Sequence, residues 1–282
     1  MDAELAKFNA KLDRLTEAVA DLRALVGATY ERMEGGRERL EGQRESEAWR
    51  RAYSEPEPLV TVRIATWNRA ELLVEQALAS VLRQSYSHWE AVIVGDACTD
   101  DTEERLAKLG DSRIRFHNLP VHGPYPEHEV KRWMIGGVPA MNAGLRMARG
   151  SWIAPLDDDD EWEDDHIEVL LGAAREERAE FAYGCAQCTL DGAPIDKTVG
   201  AWPPSYGEID LTASLYHSAL REFEHDRVAM LMAEGNDWNL VRRMLEAGVS
   251  FTFLDRIVSN YAMDHLSGVM ERHRGEKQAA AE

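Results

Sequence analysis

Apolar residues at Leu5, Phe8, Leu12, Leu15, Val19, Leu22 and Val26 recur at alternating spacings of three and four. That is the a/d seam of a coiled coil, and it continues more loosely through Thr29, Met33 and Leu40. So narrow a stripe predicts a partner helix, with self-association the first choice; the alternative is a single helix packed back on the rest of the chain. Gly35-Gly36 weakens the helix, and Ser54-Glu-Pro-Glu-Pro58 ends it in an extended linker.

Beyond the linker the period changes. Val60-Thr-Val-Arg-Ile-Ala65 is a short β-branched run, followed by the polar turn Thr66-Trp-Asn-Arg69 and a helix with Leu73, Ala77, Ser80 and Val81 on one face. Glu90-Ala-Val-Ile-Val-Gly95 reads as a strand buried on both faces. Asp100 is placed to cap a following helix with Glu103 three residues on. Arg113 to Phe116 is a third strand, Met141 to Ala148 a helix, and Trp152 to Leu156 a fourth strand. Strands alternating with helices predict a parallel sheet, with ligands bound beyond the carboxyl ends of its strands. The expected division is a helical segment 1–52, a linker 53–58, a main domain 59–265 made of halves 59–160 and 161–265, and a polar tail 266–282.

The chain has 282 residues and a formal net charge of -19. Such a surface repels nucleic acid and anionic lipid, so neither is expected as a broad partner. No apolar run approaches a membrane span and the N-terminus is charged, which reads as a soluble cytoplasmic protein. Cys98, Cys185 and Cys188 are too few for a disulfide framework. Cys185-x-x-Cys188 has metal spacing but no second pair, and is expected to be a buried strand.

Chemistry concentrates in Asp157 to Asp160, four consecutive carboxylates after an apolar strand. Like charges so packed call for a hard divalent cation with oxygen ligands, unless they form a solvated acidic loop. Thr66 to Arg69 and Asp96 stand at two further strand ends, and the coincidence predicts a site.

The stretches Ala65-Thr-Trp-Asn-Arg69, Ser80-Val-Leu-Arg-Gln-Ser-Tyr86 and Val94-Gly-Asp-Ala-Cys-Thr-Asp-Asp101 resemble the opening of the family 2 glycosyltransferases. Asn142-Ala-Gly-Leu145 through Trp162 resembles their metal-binding stretch, and Glu234 to Gly248 their acceptor-side segment. The likeness covers about Leu59 to His265, and three motifs in the family's order are a specific signal. It implies a GT-A fold: an α/β, Rossmann-like, mixed but mainly parallel sheet flanked by helices. It implies an inverting transferase that uses a nucleoside-diphosphate sugar, UDP-linked by first choice, with Mn2+ or Mg2+.

By motif position, Ala65, Thr66, Trp67 and Arg69 would meet the nucleotide, with Trp67 offering its face to the base or ribose. Asp96 would accept from the base N–H, or else cap a helix; the family often has a second Asp where this chain has Gly95. Asp157 and Asp158 would serve ribose and metal water, Asp159 the metal directly with Asp157 beside it, and Asp160 the loop or the following helix start. Asp237 falls where inverting members place the general base, or is an N-cap; Asn236 replaces the family's common Glu. His265 resembles a late histidine that is sometimes a third metal ligand. Lys131 and Arg132 either meet the diphosphate or form a solvated pair, and Trp202 and Tyr206 either stack on a sugar or pack a loop. Implied partners are the donor, a sugar or glycan acceptor, and a second copy or another protein on the N-terminal coil.

Two other readings stand beside this one. A non-catalytic scaffold of the same fold has no physical reason to keep costly carboxylates together. A sugar nucleotidylyltransferase calls for a glycine-rich loop after the first strand, where Thr66 to Arg69 has no glycine.

Overall fold

The computed structural model describes residues 35–263 and, nearer the N-terminus, 11–12, 15–16, 19–20, 22–23 and 26–27. A nine-stranded sheet runs in the order β3-β2-β1-β4-β8-β6-β9-β5, with β7 paired to β6. Its first four strands, β1 (Val60–Thr66), β2 (Trp89–Gly95), β3 (Ile114–Asn118) and β4 (Trp152–Asp157), are mutually parallel, as the alternating pattern predicts.

The acceptor half is mixed. β8 (Ser214–His217) is antiparallel to β4 and to β6 (Phe181–Leu190), and β9 (Phe251–Ala262) is parallel to β6. β9 is antiparallel to β5 (Glu161–Trp162), and β7 (Ala193–Val199) hairpins onto β6. Cys185 and Cys188 lie buried and unbridged in β6, a strand as expected.

Period-2 alternation sorts β1 onto two faces. Val60, Val62 and Ile64 pack with Leu73, Ala77, Leu78 and Val81, on the helical stretch α3 (Ala70–Leu72), a π-turn (Leu73–Ala77) and α4 (Leu78–Leu82). Helix α8 (His166–Glu176) closes the same face through Ile167, Leu170 and Leu171. The opposite face carries Arg63 and Ala65 beneath α7 (Val138–Met147), and Ile153 and Tyr216 beneath α9 (Asn236–Ala247). Between them in sequence lie α5 (Thr102–Leu109) and α6 (Glu129–Met134).

Residues 35–54 follow the alternative of packing back on the rest of the chain instead of the first-choice partner helix, and the expected 52/53 boundary falls inside a helix. α1 (35–44) and α2 (Glu47–Ser54) pack on the main domain, burying Leu40, Trp49 and Ala52. Trp49 lies 4.0 Å from the His217 ring, Trp152 Nε1 donates to Ala52 O at 3.1 Å, and Arg44 Nε donates to buried Glu180 at 2.6 Å. The reason is compositional: two aromatics, Trp49 and Tyr53, have more apolar surface than a narrow seam can bury.

The seam residues Leu12, Leu15, Val19, Leu22 and Val26 are helical and 48% to 63% exposed. Leu5, Phe8, Thr29 and Met33, with His265 and the tail 266–282, lie outside the described residues. Among the described residues no helix is long and apolar enough to cross a membrane.

Candidate active site

The loops leaving β1, β2 and β3 are tied to one another before any ligand arrives. Asn68 Oδ1 accepts from Thr99 N at 2.7 Å, and Asn118 exchanges two 2.8 Å bonds with the Cys98 backbone. Asn68 and Ala97 take φ of 53° and 58°, a region that costs a non-glycine residue on the order of 1 kcal/mol and clusters at functional sites. Asp100 does not cap α5 by a capping box. It accepts from Thr102 Oγ1 at 2.5 Å and from Ala70 N at 3.1 Å, so it joins the β2 loop to the start of α3.

Gly95 has a steric explanation. A Cβ there would lie 2.6 Å from Asn118 Oδ1 and 3.1 Å from Phe116, so the loop tie excludes a second carboxylate at this position. Asp96 is buried, and its Oδ2 accepts from Tyr125 OH at 2.5 Å. Trp67, 51% exposed, stacks on His122, whose Nδ1 stands 3.0 Å from Asp96 Oδ2.

The acidic run divides by alternation. Asp157 pairs in register with Ala65 on the α7 face. Asp158 is buried on the other side, where Thr66 Oγ1 donates at 2.6 Å and Arg69 Nη1 at 3.1 Å. Arg69 Nη1 also reaches Asp159 Oδ2 at 2.8 Å. Asp160 accepts from Thr212 Oγ1 at 2.9 Å and Ala262 N at 2.8 Å. It therefore holds the loop, by way of β9 and not the next helix. Thr66 and Arg69 thus meet the acidic loop, and Arg132 turns back onto Pro126 O and Glu127 O at 3.1 and 2.7 Å.

Asp237 is the second residue of α9, whose N-cap is Gly235, so it is not a cap itself. The helix start is fixed by Asn236 Oδ1, 2.6 Å from Nδ1 of the fully buried His225. The His225 backbone in turn exchanges two bonds with the Asn142 side chain on α7: its N donates to Oδ1 at 2.8 Å and its O accepts from Nδ2 at 2.9 Å. Burial drives the His225 pKa well below its ordinary value, so a neutral Asn is a fitting partner where the family commonly has Glu. His225 Nδ1 stands 4.0 Å from Asp237 Oδ1.

Two charged residues of this cluster escaped sequence reading. Asp210 lies before β8 with Oδ2 buried and without a hydrogen-bond partner, and its pKa is pushed up to about 8 by burial and then by Asp157. Arg63 is 1% exposed, with Nε and Nη1 lacking hydrogen-bond partners. The signal for each was a lone charge inside an apolar run, Val62-Arg-Ile64 and Ile209-Asp-Leu211.

Electrostatically the cleft is over-supplied with acid. Burial, then Asp159, raises the Asp157 pKa, and burial raises Asp158 to about 6 despite Arg69. Burial of its carboxyl in the cleft, and then Asp157, push Asp237 up to about 7, with Arg63 opposing. Its side chain remains 45% exposed, so a proton can leave it for solvent.

These hard oxygen donors fit a divalent cation better than a soft one. Among the described residues no three His, Cys, Asp or Glu form a ready ion cage. A cation such as Mg2+ takes one or two carboxylates and completes its shell with substrate phosphates. A separate cavity of about 630 Å³ touches this cleft only through His225. Its Arg39, Arg146, Arg221 and Arg243 are offset by Glu222, Glu224 and Asp226, so it is no anion pocket to rival the strand ends.

The glycosyl transferase family 2 model matches residues 61–218, more than half of the chain. The chain belongs to that family. A Bacillus subtilis glycosyltransferase named for teichuronic acid biosynthesis is 34% identical over 145 residues, 51% of this chain and 53% of that protein. An Escherichia coli UDP-Glc:alpha-D-GlcNAc-diphosphoundecaprenol beta-1,3-glucosyltransferase is 26% identical over 151 residues, 54% of each chain. The family 2 chain thus spans about half the length of these curated relatives.

Two solved structures share the fold at 16% identity. Staphylococcus aureus TarS with UDP-GlcNAc superposes at a TM-score of 0.55 over 72% of this chain and 58% of its own. The Pyrobaculum calidifontis mannosyltransferase with GDP-Man and Mn2+ superposes at 0.55 over 89% and 70%. The GT-A fold, a mainly parallel sheet with flanking helices, is the one the sequence implied.

Proposed function

We propose that this protein transfers a sugar, with inversion, from a nucleoside-diphosphate sugar to an acceptor hydroxyl. The observation that carries the reading is Asp237. It is a half-exposed carboxylate in the first turn of α9, 4.0 Å from Nδ1 of buried His225, and the negative charge of Asp157 at the end of β4 adds to the upward push on its pKa.

Asp237 takes the proton of the acceptor hydroxyl as that oxygen attacks the anomeric carbon in line; the helix N-terminus favours the carboxylate needed to begin. Trp67 stacks on the base, Asp96 accepts the base N–H, and Ala65 lines the pocket at the end of β1. Thr66 and Arg69 hold Asp158 and Asp159 in place from beneath the diphosphate. A divalent cation held by Asp159 and Asp157 would supply charge neutralisation to the departing nucleotide. His265, at the far end of the matched motifs, is a candidate third ligand.

UDP is the favoured donor nucleotide, in keeping with the names of the Escherichia coli relative and the TarS complex. The acceptor is a glycan, in keeping with relatives named for polysaccharide assembly. The product's anomeric configuration, read by NMR before mutarotation, tests the reaction: inversion is expected, and retention would remove Asp237 as the base.

The exposed seam from Leu12 to Val26 associates with a second copy of itself. Because residues 35–54 belong to the main domain, the informative truncation removes 1–34. Light scattering should then report a smaller assembly; an unchanged mass contradicts the coil.

A further inference from the structure

The loop after β3 closes over the carboxyl end of β2 and is anchored on both sides. Leu119 N donates to Gly95 O at 2.8 Å. Tyr125 OH donates to Asp96 Oδ2 and accepts from Gly137 N, at the start of α7, at 3.2 Å. Between these anchors Gly123 takes φ of +72°, where an added Cβ would stand 2.8 Å from Tyr125 N. Only glycine makes that turn freely.

The turn delivers the His122 imidazole onto Trp67, with ring centroids 4.2 Å apart and planes inclined by 20°. His122 Nδ1 lies 3.0 Å from Asp96 Oδ2 and 3.1 Å from Asp96 O. Both neighbours are acceptors, so Nδ1 carries the hydrogen and donates. A flat nitrogen heterocycle therefore stacks on Trp67 and presents an N–H to Asp96. Those are the two contacts assigned above to the donor base, and the inference rests on that assignment.

We propose that His122 fills the base position of the donor pocket, and that a nucleoside diphosphate binds by displacing it. A base N–H aimed at Asp96 Oδ2 and a ring laid on the same face of Trp67 both compete with the imidazole. Oδ2 already meets Tyr125 and His122, and Oδ1 faces Gly123 N at 3.4 Å. His122 has a side chain 38% exposed and Trp67 is 51% exposed, so the imidazole can swing away without opening the core.

The competition makes His122 a specificity-determining residue. A base must return what the imidazole gave up, a stacking face and an N–H beside the ring carbonyl. Uracil, thymine and guanine offer that N–H. Cytosine presents a bare ring nitrogen at that place; its donor is the neighbouring amino group, so it repays the lost bond only by shifting along the Trp67 face.

The test is calorimetric titration of UDP, GDP, dTDP and CDP, each with Mn2+, into the full chain and its His122→Ala variant. If the closed form holds about nine-tenths of the population, the variant binds the preferred nucleotide about tenfold tighter, while CDP stays weak in both. His122→Phe, which keeps a stacking ring, should gain less. Equal or weaker binding by His122→Ala makes the residue a bystander or a fixed wall and overturns the proposal. Binding of no nucleotide by either protein removes the base pocket itself, and the proposal with it.

Discussion

An Asp237→Asn enzyme is expected to bind the donor nucleotide normally and to turn it over roughly a thousandfold more slowly, the middle to upper range for loss of a general base. Asn keeps the size of the side chain but cannot take a proton from the acceptor hydroxyl. The pH profile supplies the internal control. With its carboxyl pushed up to about 7, Asp237 is protonated and inactive in mild acid, so wild-type turnover should climb through that region.

Stability should move the opposite way. Asp158, Asp237 and Asp210, raised to about 6, 7 and 8, bind protons more tightly folded than unfolded. Their contribution is complete below the unfolded value near 4 and is lost as pH rises through those folded values. Asp237→Asn removes one ionising group from that set. The variant should therefore be no less stable than wild type at pH 8, while catalytically crippled. A dead variant that melts early would be a folding defect; one that melts normally has lost its base. Normal turnover would remove Asp237 from the mechanism.

The second large effect is expected at Asp159. Asp159→Ala should weaken metal-dependent nucleotide binding by about a hundredfold, in keeping with the several kcal/mol a cation contributes at a diphosphate. It should leave metal-free binding nearly unchanged. Two features sharpen the expectation. Asp159 shares Arg69 with Asp158, so its removal leaves Arg69 paired to Asp158 and the loop in place. Asp160, tied to Thr212 and Ala262, has a different fate: Asp160→Ala should reduce stability and metal use together. Equal metal affinity in wild type and Asp159→Ala would show that the cation is held elsewhere.

The donor half was legible because its signals are local. Val60 to Ala65 and Glu90 to Gly95 are β-branched or apolar runs bounded by polar turns, and Asp157 to Asp160 announces itself by charge density. What could not be read depends on distant partners. Arg63 looks like a surface residue of a half-exposed strand until α7 covers it. Asp210 joins the cluster only because β8 pairs against β4. Nothing near His122 in sequence shows that Gly123 will turn it onto Trp67, more than fifty residues away. The N-terminal helix misled for a related reason. The heptad spacing runs on through Leu40, whereas Leu40, Trp49 and Ala52 answer to the strands and helices they pack upon.

The proposed transfer requires three strand ends to form one metal-dependent pocket for a nucleoside diphosphate. Calorimetric titration of UDP, GDP and dTDP into the wild-type chain tests it most directly, first with Mn2+ and then with excess chelator. One nucleotide should bind with the metal and be largely lost on chelation, which would also name the donor base. Binding of none in either condition would contradict the account and leave the acidic cleft without its substrate.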